Sequence, residues 1–364
     1  MMRFPVSVPV SMLLGALVPA ASSGATWHVP SQCPTIQAGI DSSSAGDTVL
    51  VASGTYYEHD IGMKSGICLR SETGLPECVT VDATGGIGIL CVGVDSTTSV
   101  VGLTITGGFG DLGGGMWCDS SEVMMIDCRF IENQGYHGSG MTCWNSSPTL
   151  IRCRFLDNGA EFGPAGIYCL HGDLHLHDCH FVRNAIGGLQ CSSSSASLVG
   201  CTFYDNSTPY VGGAINCNSS SMTLTGCTLT ENMAIDGGAA VFCRSNSIFL
   251  LQNTVIAFSQ YREAIQCEDG TSVVTLSCCD VYGNEGGDWV DCIAGQEGVN
   301  GNFSADPLFC DPANGDFTIS CDSPCAPGNH PDGYPCGLVG ALDVGCDSSA
   351  TERTSWGRVK AMYR

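Results

Sequence analysis

The chain has 364 residues, of which 13 are Lys or Arg and 36 are Asp or Glu, so it carries a formal charge of −23. A surface of that sign repels phosphate backbones and argues against nucleic acid as a partner. Charged residues make up only 13% of the chain while glycines number 48, and with abundant Ser, Thr and Asn this is the composition of turn-rich β structure in which helices are scarce.

Residues 1–25 have the form of a secretory signal peptide. Arg3 supplies the charge, Val6 to Val18 the apolar stretch and Ser23-Gly24-Ala25 a small-residue cleavage site. That stretch is shorter than the roughly 20 apolar residues that span a bilayer, which makes a membrane anchor the poorer reading. No later segment is long and apolar enough to cross a membrane. The expectation is a chain secreted or held at the cell surface, in association with the outer membrane, and monomeric. Next, Thr35 to Asp41 places apolar residues at helical spacing, and Gly46 to Val51 starts a strand. A short helix capping the first layer of a β structure is predicted there.

The middle of the chain repeats. Cys118 and Cys128, Cys143 and Cys153, Cys169 and Cys179, Cys191 and Cys201, and Cys217 and Cys227 stand ten residues apart, and each second Cys opens the phrase Cys-x-(Phe/Leu)-x-x-Asn. The unit recurs every 22 to 26 residues, a period that belongs to a solenoid. In the clearest unit Ile215 and Cys217, Met222 and Leu224, and Cys227 and Leu229 alternate with polar residues, so each coil holds three short strands with one inward face apiece. A corner is predicted before each second Cys, at Asp127, Arg152, Asp178, Gly200 and Gly226, and an Asn ladder at Asn133, Asn158, Asn184, Asn206 and Asn232. The following coil breaks the phrase, with Asn253 read in place of the Cys and Phe258 in place of the turn Asn, before Cys267, Cys279 and Asn284 resume it.

Residues 26–346 therefore form one all-β domain, a single-stranded right-handed parallel β-helix with three short strands per coil, an N-terminal capping helix and a Cys-rich C-terminal closure. Asp306 to Ile319 forms a last irregular coil of this domain, and residues 347–364 a flexible basic tail. All 24 cysteines follow the signal, and an oxidising compartment permits disulfides. The repeat cysteines occupy inward positions and are expected to be a buried thiol ladder, with disulfides among Cys310, Cys321, Cys325, Cys336 and Cys346. A zinc array is disfavoured because no CxxC pair occurs.

The Gly-Gly-Ala-Ile phrase at Gly212 to Ile215, its variants at Gly113 to Met116, Gly138 to Met141 and Gly237 to Ala240, and Phe-x-x-Asn from Phe130, Phe155, Phe181 and Phe203 resemble the repeats of polymorphic outer-membrane proteins. The stretches Thr35 to Glu58 and Asp306 to Phe317 are similar to those of right-handed parallel β-helix proteins of the pectin-lyase-like superfamily. The first resemblance implies surface adhesion. The second implies either a scaffold or a polysaccharide-degrading enzyme working with paired acidic residues, calcium and an Arg or Lys beside the sugar carboxylate. The Asp-Asp pair and the Arg-Ile-Lys and Asn-Thr-Asp triplets of polygalacturonases are missing here.

Candidate binding residues are the outward aromatics of the early coils, Trp117, Trp144 and Tyr168, with Tyr136 on a neighbouring loop, because flat rings stack on sugars. A second outward column carries Arg129, Arg154 and His180, read either as a solvated ladder of weak ion pairs or as contacts to an acidic sugar. His137 and Glu161 are the weak candidates for acid–base work. The run from His171 to His180 invites a metal reading, but a predicted corner separates its members. Calcium suits an acidic exported repeat chain, yet no loop has the spacing of a calcium motif, so no cofactor and no metal site are assigned. The leading expectation is a non-catalytic exported β-helix that binds a surface polysaccharide or a protein ligand, or serves as a cell-envelope element. The alternative is a polysaccharide lyase, hydrolase or epimerase in a groove on the early coils, with an Arg of the neighbouring column on a sugar carboxylate.

Overall fold

The computed structural model describes residues 24–347; the expected signal segment before Gly24 and the basic tail after Asp347 lie outside the described residues. One turn of the chain illustrates the rest. Strands Ile215–Asn218, Ser221–Thr225 and Thr228–Thr230 follow one another, and each bends away from the next because the residue between the second and third strands is left-handed. That corner is Asp127, Arg152, Asp178, Gly200 or Gly226 in successive coils, with φ of 52°, 53°, 52°, 64° and 58°, as expected from the small and polar residues there. Like strands stack in parallel, giving sheets of nine, eleven and ten strands built from the first, second and third strands of the coils.

In-register stacking turns each repeated residue into a column. Cys91, Cys118, Cys143, Cys169, Cys191, Cys217, Cys243 and Cys267 face one another along the first sheet. Along the third sheet the rings of Phe130, Phe155, Phe181 and Phe203 stack at 4.8, 5.0 and 4.5 Å with their planes almost parallel. All of these except the partly covered Cys267 are fully enclosed in one continuous core, which no single coil could bury alone.

The turn Asn residues form the predicted ladder. Asn158 Nδ2 donates to Phe130 O at 3.0 Å and to Asn184 Oδ1 at 2.9 Å, and Asn184 repeats the pattern toward Phe155 O and Asn206 Oδ1. A second ladder, of serines, was missed in the sequence. Ser121, Ser146, Ser194, Ser220, Ser247 and Ser272 are buried at the corner after the first strand, and the backbone N–H of Ser194 donates to Ser220 Oγ as that of Ser220 does to Ser247 Oγ. Its signal is Cys-x-x-Ser, present four times in the repeat.

The irregular coil is shifted by one residue from the sequence reading. Register pairs Thr228 with Val255 and Val255 with Asp280, so Thr254 occupies the Cys level, Asn253 is the corner with φ 50°, and Ser259 rather than Phe258 takes the ladder Asn's place, its N–H donating to Asn284 Oδ1 at 3.0 Å. The phrase lost its Cys and its Asn together, which removed the landmarks needed to count correctly.

Helix Ile36–Ser42 caps the first coil, with Thr35 Oγ1 accepting from Ala38 N. The C-terminal part differs from a last irregular coil. Phe309–Asp311 and Asp316–Ser320 pair antiparallel, joined by Val344–Cys346, and this unit folds back along the outer side of the third sheet, where Ile319, Cys325, Ala326 and Val339 pack on Val255, Ala257 and Phe303. The open end of the stack is covered instead by Ile293 and Trp289.

The disulfides are Cys267–Cys292, Cys278–Cys336 and Cys310–Cys346. Cys321 and Cys325, expected to bridge, are free. Cys278 escapes the ladder because it sits at a left-handed corner, directed outward. The column thiols are unbridged, and several donate to backbone carbonyls: Cys128 Sγ to Val100 O and Cys179 Sγ to Leu150 O, both at 3.5 Å, on the coil before. Burial pushes the Cys118 and Cys128 thiols well up, which makes them poor nucleophiles. Alkylation under denaturing conditions is therefore expected to count 18 thiols, and in the native protein only the exposed Cys321 reacts at once; a denatured count near zero would mean that the columns are oxidised.

Candidate functional site

Two surfaces collect the outward residues, and they lie on different sheets. The first is aromatic. The connection from each third strand to the next first strand forms a small sheet from Phe109–Leu112, Gln134–His137 and Gly159–Ala160. It brings Phe109 and Tyr136 edge-on at 6.3 Å and stacks Tyr136 on Phe162 at 5.9 Å. Phe109 and Phe162 are 53% and 63% exposed, so these rings present faces to solvent rather than closing a core. The same connection bears exposed Tyr210, Ile235 and Tyr261 in later coils.

Beside this ring ladder His137 lies 5.7 Å from Tyr168, and farther along the first sheet Trp144 meets His171 edge-on at 6.3 Å. The structure thus brings His137 to Tyr168, while Tyr136, the preceding residue of the same strand, joins Phe109 and Phe162. Trp144 is reached across the diagonal of neighbouring strands, since Thr142 pairs with Tyr168 and Trp144 with Leu170. Trp117 is half-buried and makes no ring contact among the described residues, its register neighbour being the buried Thr142. Glu161 is exposed at the ladder's edge, its N–H donating to Gly135 O at 3.0 Å. Phe109 escaped the sequence reading because a single Phe outside the repeat phrase has no periodic signal.

The second surface is basic. Arg129, Arg154 and His180 are register partners on the outer side of the third sheet. They floor a cleft of about 550 Å³ walled by Gly74 to Glu77 on one side and by Ala341 and Leu342 of the closure on the other. Arg129 pairs with Glu77 at 3.2 Å, and Arg152 grips Asp127 with two hydrogen bonds of 2.8 and 2.7 Å. The Arg154 side chain, unlike that of Arg129, makes no ion pair among the described residues. Burial, followed by the Arg154 charge, pushes His180 down to about 4, against the pull of Asp178, so the imidazole is neutral at physiological pH and bonds Thr202 Oγ1 through Nδ1 at 2.6 Å.

This arrangement corrects the enzymatic alternative, which needed His137 or Glu161 and an Arg in one groove. The basic cleft is lined by none of Trp117, Tyr136, His137, Glu161, Trp144 or Tyr168, because the rings belong to the first sheet and its approach loops whereas the arginines belong to the third. Strands on different faces of a triangular coil do not share a groove. For the histidine run, the only trio of His, Cys, Asp or Glu among the described residues with ligand atoms within 4.8 Å of one another is Cys267, Asp291 and Cys292, and there the two sulfurs are already joined.

A family model described as a right handed beta helix region matches residues 59–207, so the middle of this chain is such a region. Among solved structures, the pectate lyase Pel9A is 13% identical with a TM-score of 0.44, over 89% of this chain and 97% of that one. A mutant of the PL6 family alginate lyase AlyGC is 11% identical with a TM-score of 0.34, over 90% of this chain and 58% of that one. No curated protein matches the chain. No helix among the described residues is long and apolar enough to cross a membrane.

Proposed function

We propose that the chain is an exported, non-catalytic β-helix that binds an extended polysaccharide along the ring ladder of Phe109, Tyr136 and Phe162. The observation that carries this reading is the stacked, solvent-facing pair Tyr136–Phe162, repeated by exposed apolar residues on the same connection of later coils. Rings set out along the solenoid axis suit a ligand that is itself a repeating chain, and Tyr168 and Trp144 extend the platform sideways.

An array of neutral and acidic polysaccharides, assayed for binding and for chain cleavage, tests this. Tyr136→Ala and Phe162→Ala are each expected to weaken binding roughly tenfold, the equivalent of about 1.4 kcal/mol for a lost ring contact. Arg154→Gln, on the separate basic face, is expected to leave binding along the rings unchanged. Release of unsaturated or reducing ends overturns the non-catalytic reading, and binding that is indifferent to both ring substitutions overturns the site.

A further inference from the structure

The outward column that begins with Arg129, Arg154 and His180 continues through Thr202, Thr228 and Val255 to Asp280. The basic cleft leaves the early part of this column open. The closure covers the end of it, and Asp280 lies fully buried beneath. Its Oδ1 accepts from Ala305 N at 3.0 Å, and its Oδ2 lies 3.3 Å from Sγ of Cys325, which is equally buried. No cation faces it. The groups around it are the Cys325 thiol and the carboxylates of Asp288 and Asp306; on the Cys325 side, Ser323 Oγ accepts from Cys325 N at 3.1 Å. A thiol is a weak donor and cannot replace the solvation of a buried carboxylate.

The disulfides tether the closure unevenly at this point. Its strap from Cys310 to Cys336 is fastened at both ends, by Cys310–Cys346 and Cys278–Cys336, while Cys321 and Cys325 between them are unbridged. The middle is held by the contact of Phe317 with Tyr204 at 4.5 Å, the apolar packing of Ile319, Cys325 and Ala326, the bond from Val339 N to Cys325 O at 2.9 Å, the contact of His330 with Phe303 at 4.7 Å and the Asp280–Cys325 pair. We propose that Asp280 is a proton-operated latch, which as the neutral acid keeps the strap seated on the third sheet and on ionising lets the middle of the strap lift between its two disulfides. Lifting uncovers Val255, Ala257 and the Cys325 thiol.

Burial pushes the Asp280 carboxyl up to about 7, its bonds to Ala305 and Cys325 acting against this and Asp288 and Asp306 with it. In the lifted strap the group returns to the ordinary range near about 4. Because the seated value is the higher one, the seated state is fully favoured below about pH 4 and loses that advantage as pH rises through about 7. The sign separates this latch from any contribution of His330, whose Nε2 lies 2.9 Å from Gly301 O in the same strap, since a histidine gains its charge on acidification.

Alkylation of Cys325, read by mass spectrometry against the exposed Cys321 in the same protein, tests the latch. The Cys325-to-Cys321 rate ratio is expected to rise at least about tenfold between pH 5 and pH 8. In Asp280→Asn, which keeps the shape of the neutral acid, the ratio is expected to stay flat. Asp280→Val, which copies Val255 of the preceding coil, serves if the amide variant does not fold, and is also expected to be flat. A flat ratio in the unaltered protein, or an equal rise in a folded variant, overturns the proposal.

Discussion

Replacing Asn184 by alanine is expected to cost the solenoid about 4 kcal/mol, because one side chain serves three coils. Its Oδ1 accepts from the N–H and the Nδ2 of Asn158, and its Nδ2 donates to Phe155 O and to Asn206 Oδ1. Alanine deletes all four bonds and leaves the N–H of Asn158 without a partner in a site with no exposure. An unmet buried group costs about 1–3 kcal/mol, and water cannot enter at constant packing to relieve it. Denaturant unfolding followed by circular dichroism measures the loss. A cost below about 1 kcal/mol would mean that the turn rearranges to bond its own backbone, and the ladder would then be a consequence of the stack and not one of its causes.

Phe155→Ala is expected to be of similar size, about 3–5 kcal/mol, for a different reason. The ring is packed between those of Phe130 and Phe181 at 4.8 and 5.0 Å, so its removal leaves a void whose walls are held apart by neighbouring coils and cannot collapse. Phe155→Leu is expected to cost less than half as much, since Leu229 already occupies the equivalent place two coils after Phe181 and fills most of the volume. The comparison is made in the same unfolding experiment. Equal losses in the two variants would show that ring stacking, rather than cavity volume, sets the cost. Because a solenoid shares its energy among neighbours, both variants should destabilise the central coils before the helix-capped end.

Residues inside the repeat were legible to the extent that they repeated. The two Cys columns, the Phe column, the Asn ladder and the left-handed corners follow from spacing alone, since each residue's main neighbours are its own counterparts one coil away. The Ser ladder carried the same kind of signal in Cys-x-x-Ser and went unread. At Asn253 and Phe258 the phrase lost two landmarks at once and the register slipped by a residue. The disulfides show the other limit: Cys278 differs from its neighbour Cys279 only in lying at a corner, and this one-residue difference sends one sulfur outward to Cys336 and the other into the core.

The candidate site was half visible. Tyr136, His137 and Tyr168 were named from the sequence, of which His137 does meet Tyr168, and Arg129 and Arg154 do share a column. That the rings and the arginines occupy different faces, that Glu77 neutralises Arg129, and that the closure walls the cleft all depend on segments far apart in the chain.

The sequence by itself thus determined the coil, its three strands, its inward columns and its ladders, because parallel in-register stacking makes each coil the environment of the next and writes that environment as a period. Only the tertiary structure decided where the non-repeating parts go: the closure along the outer side of the third sheet, the strap over Asp280, and the separation of the aromatic and basic surfaces. Those contacts are each made once, between residues as distant as Asp280 and Cys325, and a contact made once leaves no period to read.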